Sequence, residues 1–144
     1  MTAALSTSAA ETERAGADLA ERLAPGDLVL VTGELGAGKT TFVRGACRAM
    51  GVDGPVVSPT FTIGRRYESN DGRQISHLDL YRLADMGAEE EGLLDDYLEP
   101  DAIAFVEWPA VAATGLPEPA ARVEIRHAGG DEREIAVEWR DSKR

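Results

Sequence analysis

The sequence predicts an α/β fold of the P-loop nucleotide-binding kind, in a single domain spanning residues 1–144 with residues 1–7 as a flexible lead-in. Two observations place the central unit. Leu28-Val29-Leu30-Val31 is a continuous apolar run, the pattern of a strand buried on both faces. It leads directly into Gly33-Glu34-Leu35-Gly36-Ala37-Gly38-Lys39-Thr40, a match to G-x-x-x-x-G-K-[ST] that opens a helical stretch. A third observation adds antiparallel hairpins around this unit. Turn signals at 69–72 and at Gly129-Gly130 each separate two strand-like segments.

The elements follow in order. A helix is expected from about Ser8 to Ala24, with Thr7 or Ser8 as its cap, Leu19 and Leu23 four apart, and Pro25-Gly26 as its stop. After the buried strand and glycine loop, a second helix runs from Lys39 to about Met50 and ends at Gly51. Ser58-Pro59 keeps the chain extended. Strands are expected over 60–68 and 73–80. A helix over 86–98 carries Glu89-Glu90-Glu91 on a solvated face, with Leu93, Leu94, Tyr97 and Leu98 at helical spacing. Ala102 to Val106 reads as another buried strand, followed by Glu107-Trp108-Pro109 and an irregular connection. Segments 123–126 and 135–139 alternate with period two and form the terminal hairpin, one face solvated.

Composition narrows the function. Hydrophobic residues make up 43%, enough for a packed core. There is no unbroken apolar run near the length of a membrane span and no secretory pattern at residues 1–10. Cys47 is the single cysteine and cannot pair internally, so a cytoplasmic setting is expected. The net charge of −11 argues against an extended basic surface that tracks a nucleic-acid backbone. Of fifteen Lys and Arg only Lys39 and Lys143 are lysines. Lysine at the signature position therefore reads as a chemical choice of a compact ammonium over a planar fork.

The loop chemistry follows from residue type. Glycines let successive backbone N–H groups curl around an anion, and the helix behind adds the positive end of its dipole. Lys39 is expected to reach the β- and γ-phosphates, and the Thr40 hydroxyl to ligate Mg²⁺. An acid at a strand end should complete the metal site. Glu107 closes the cleaner apolar strand and Asp79 closes Ile75-Ser76-His77-Leu78, and both stay open as candidates. His77 alternates onto the same face as Asp79, as a structural histidine or a neighbour of the site. Thr60 is either a plain loop threonine or a sensor of the γ-phosphate. Trp108 either packs beside the phosphates or fills the core. No Asn-Lys-x-Asp guanine signature is present, which favours ATP over GTP.

Taken together, Gly33 to Gly45, Ser58-Pro59-Thr60-Phe61, His77-Leu78-Asp79-Leu80-Tyr81-Arg82-Leu83 and Val106-Glu107-Trp108-Pro109 resemble the TsaE family. The resemblance covers about residues 10 to 140. It implies a mainly parallel central sheet with flanking helices. It also implies a slow ATPase, binding ATP or ADP with Mg²⁺, that works with TsaB and TsaD in making threonylcarbamoyladenosine (t6A) at position 37 of tRNA. Contact with tRNA would come only through that complex, with no membrane involved. On this resemblance Gly33, Leu35, Gly36, Ala37, Gly38, Lys39, Thr40 and Thr41 form the phosphate cradle. Thr40, Glu107 and Asp79 serve Mg²⁺, with Glu107 polarising water. Thr60 is the switch-like threonine, Trp108 follows the acid, and Thr12 lies near the adenine side. Ala110 departs from the pattern, where an acidic residue is expected. Other readings of the same motifs are a small metabolite kinase and a nucleotide-gated binding module without turnover.

Overall fold

The computed structural model describes residues 2–34, 38–56, 64–80, 98–107 and 117–140. Within them the chain runs β1 (Thr2–Ser6), α1 (Ala9–Ala20), β2 (Leu28–Gly33), α2 (Lys39–Ala49), β3 (Gly64–Glu68), β4 (Gln74–Asp79), β5 (Ile103–Glu107), β6 (Ala121–Gly129) and β7 (Glu132–Trp139). The expected helix over 86–98 lies outside the described residues except for Leu98.

All the strands join one sheet in the order β1-β7-β6-β2-β5-β4-β3. The four central strands, β6, β2, β5 and β4, run parallel to one another. The edges are antiparallel, through β3 against β4, β6 against β7 and β7 against β1. The α/β class with a parallel centre and antiparallel hairpins is therefore what the chain adopts. Alternation divides its core. Val29, Val31, Ile75, Phe105 and Val123 face α1 and α2, where they meet Leu19, Phe42, Val43 and Ala46. Leu28, Leu30, Leu78, Ala104 and Val106 face the other way and pack with Leu98.

Several elements depart from the sequence reading. Residues 2–6 are not a flexible lead-in but an edge strand, with Ala3 opposite Ala136 and Leu5 opposite Glu134. An Ala- and Ser-rich segment carries no hydrophobic alternation, and Leu5, its one large apolar side chain, is 57% exposed, so the pairing left no pattern to read. Helix α1 stops at Ala20 and not at Ala24, continuing through turn hydrogen bonds from Arg22 to Leu19 and from Leu23 to Ala20. The hairpin strands β6 and β7 are longer than expected and turn through Gly129 and Gly130, both at positive φ. Cys47 is buried in α2, and burial pushes its thiol up to about 12, which leaves it a packing residue.

The two helices touch at backbone distance. A Cβ placed on Gly16 would lie 2.0 Å from the Phe42 carbonyl oxygen, and one on Gly45 would lie 1.9 Å from that of Glu13. This reciprocal contact seats α2, and with it Lys39 and Thr40, against the sheet. Gly45→Ala forces the helices apart and should lower the unfolding free energy by about 1–3 kcal/mol, outweighing the roughly 1 kcal/mol that alanine gains in helix propensity. The urea midpoint of the variant measures this. A midpoint at or above that of the parent would contradict the close packing.

Candidate nucleotide and magnesium site

The two helices begin differently. Ser8 caps α1, its hydroxyl accepting from the Glu11 amide at 3.2 Å, while the Glu11 carboxylate accepts from the Thr7 amide at 2.8 Å. That backbone bond first, and the Thr7 hydroxyl second, hold the Glu11 carboxyl below its usual range. Helix α2 starts at Gly38, which has φ +106° and makes no side-chain cap. The first intrahelical bond runs from Phe42 N to Gly38 O, so the amides of the first turn have no partner within the helix. A helix N-terminus without a side-chain cap, following a buried strand, is suited to an anion.

Lys39 lies at that start with only 5% of its surface exposed. Its ammonium donates to the carbonyls of Gly33 at 2.7 Å and Glu34 at 2.9 Å. Burial pulls this ammonium below the usual lysine range, and the nearby Glu107 and Asp79 carboxylates oppose the pull. Thr40 and Thr41 follow in the first turn, half-buried.

Sheet register brings the acids together. Asp79 and Glu107 are the last residues of β4 and β5 and pair directly across them, and Glu107 also pairs with Val31 of β2. Both acids that the sequence left open thus reach the same sheet edge, on the face that α2 covers. Glu107 is 2% exposed and Asp79 is half-buried. A buried carboxylate needs a partner, and Glu107 Oε2 has one in His77 Nε2. His77 is therefore in the site and not only near it. The sequence placed it on the right face, but strand alternation alone says nothing of a diagonal contact to the next strand.

Thr12 is buried in α1, its hydroxyl bonded to that of Ser6 at 2.8 Å. A Cβ built on Gly38 would sit 3.8 Å from Thr12 Cγ2 and 3.9 Å from Arg133 Nε. Thr12 thus borders the loop, as does Arg133 of β7, a cation the sequence reading missed because ninety-odd residues and no motif connect it to the loop. Leu35, Gly36, Ala37, Thr60, Trp108 and Ala110 lie outside the described residues.

Thr40, Asp79 and Glu107 offer a hydroxyl and two carboxylates, a set of hard oxygens that fits Mg²⁺. Among the described residues no group of three or more His, Cys, Asp or Glu forms a metal cage. A cavity of about 360 Å³ beside Arg122, Glu138, Trp139 and Arg140 lies at the opposite end of the sheet, where β6 begins and β7 ends. It has neither a glycine loop nor an open helix start. No helix among the described residues is long and apolar enough to cross a membrane.

Comparison with known proteins shows the family. A family profile described as "Threonylcarbamoyl adenosine biosynthesis protein TsaE" matches residues 6–135. A Bacillus subtilis protein named "tRNA threonylcarbamoyladenosine biosynthesis protein TsaE" is 43% identical over 113 residues, covering 77% of this chain and 68% of its own. The Streptomyces coelicolor protein of the same name is 44% identical over 117 residues, covering 81% and 79%. The crystal structure of Bacillus subtilis YdiB superposes with a TM-score of 0.79 at 31% identity, over 99% of this chain and 88% of that one. With the matched profile spanning nearly its whole length, the chain belongs to the TsaE family.

Proposed function

We propose that this protein is a slow ATPase of tRNA t6A synthesis, which binds ATP or ADP with Mg²⁺ and acts with TsaB and TsaD. The observation that carries the reading is the meeting of Lys39, Asp79 and Glu107 at the open start of α2. The names of its relatives supply the pathway. The net charge of −11 supports contact with tRNA through partners rather than by this chain alone. The lone buried thiol suits the cytoplasm.

The chain's own groups divide the work. On nucleotide binding, Lys39 exchanges its two loop carbonyls for phosphate oxygens, a stronger pairing of unlike charges. First-turn amides of α2 and Gly38 cradle the phosphates. Thr40, Asp79 and Glu107 would hold magnesium, which would supply positive charge against that building on the phosphates. Glu107 accepts a hydrogen bond from the attacking water and orients it. Thr60 senses the γ-phosphate, and Trp108, Thr12, Thr41 and the loop residues Leu35, Gly36 and Ala37 border the nucleotide.

Lys39→Ala should weaken ATP and ADP binding by roughly 1.5–3 kcal/mol, read by calorimetry. Unchanged affinity would remove Lys39 from the cradle. Glu107→Ala should reduce turnover by at least about tenfold while metal-free ADP affinity stays within about twofold, because orienting water matters in the transition state. Equal losses in both would make Glu107 a structural residue. In cells, depletion of the protein should lower t6A in digested tRNA by mass spectrometry. The parent gene should restore it and the Lys39→Ala gene should not. Normal t6A in depleted cells without a second copy would sink the assignment.

A further inference from the structure

The row of side chains across the sheet one pleat behind the acids is Val29, Phe105 and His77, paired in register and each 0% exposed. Two of the three are apolar. An imidazole in such a row has to justify two polar nitrogens in a dry environment. Its Nε2 lies against Glu107 Oε2, while Nδ1 finds no hydrogen-bond partner among the described residues. A histidine kept for packing would leave both nitrogens idle, and an apolar side chain would fill the space better. Among the described residues, the polar contact that His77 makes is with Glu107.

That contact runs on a diagonal. His77 stands opposite Phe105, and Glu107 lies two residues further along β5 on the same face. The carboxylate is thus drawn back toward the sheet interior by one oxygen. An ionised carboxylate only accepts, so Nε2 carries the hydrogen. We propose that His77 is a positioning residue for hydrolysis: its Nε2–H holds Oε2 of Glu107 and so fixes the carboxylate that serves the metal and the attacking water. This rests on the hydrolysis reading given above. The chemistry resembles that of any carboxylate whose direction is set by a partner behind it.

The test compares three variants at position 77, with Glu107→Ala as a control, each assayed below its own unfolding temperature and per folded molecule. His77→Met keeps the volume and removes the donor. It should lower kcat by about 10–100-fold and leave magnesium-free ADP affinity within about twofold. His77→Gln places an amide N–H near the former Nε2 and should recover most of the loss. In the Glu107→Ala background, His77→Met should lower kcat no further, because the group it positions is gone. A Met variant that turns over like the parent, or a Gln variant as impaired as Met, overturns the proposal. If the Met variant does not fold, Gln and Asn decide, since the shorter Asn amide falls short of Glu107. Gln active and Asn impaired supports the proposal, and equal turnover overturns it. A Glu107→Ala protein as fast as the parent removes the hydrolysis reading and the His77 role with it. A slow Glu107→Ala beside an unimpaired Met variant removes His77 alone.

Discussion

An ammonium and a carboxylate cannot both be withdrawn from water at the edge of an apolar sheet face unless each finds compensation. Lys39 and Glu107 are in that position, 5% and 2% exposed. The lysine is compensated by two carbonyls of its own loop and by the field of Glu107 and Asp79. The glutamate is compensated by His77. These pairings fix where α2 starts relative to β4 and β5, so the helix start, the loop and the strand-end acids form one unit. Much of the remaining structure holds that unit in register.

The register comes from two directions. Parallel pairing of β2, β5 and β4 brings Val31, Glu107 and Asp79 level, so a slip of one residue in β4 or β5 would turn an acid to the opposite face. The helix layer is set by the mutual contact of Gly16 and Gly45 with the backbone of the facing helix. Arg22, stacked 4.2 Å over the Trp139 ring, ties the far end of α1 to β7. The result is one charged end and one apolar body on the face that α1 and α2 cover.

Features encoded by neighbours in sequence were legible in advance. The buried run at Leu28, the helix from Lys39 and the hairpin turns at Gly72 and Gly129 are local patterns, and they appear where periodicity and turn chemistry place them. Glu107 and Asp79 were readable as strand-end acids, but their pairing depends on strand order, which no local pattern encodes. The same is true of the His77 contact and of Arg133 beside Gly38. Strand β1 escaped notice because its side chains are small and its stability comes from backbone pairing with β7. The family resemblance rested on motifs spread along the chain, and the matched profile over residues 6–135 accords with that spread.

The proposed nucleotide site lies at the C-terminal ends of the parallel strands, and the cavity beside Trp139 at the other end of the sheet. Backbone amide chemical shifts of the isotope-labelled protein, followed on addition of ADP and then Mg²⁺, test this most directly. ADP should move the amides of Gly38, Lys39 and Thr40 most, and Mg²⁺ should then add changes at Asp79 and Glu107. Shifts concentrated at Ala121, Arg122, Trp139 and Arg140, with the start of α2 unmoved, would contradict it.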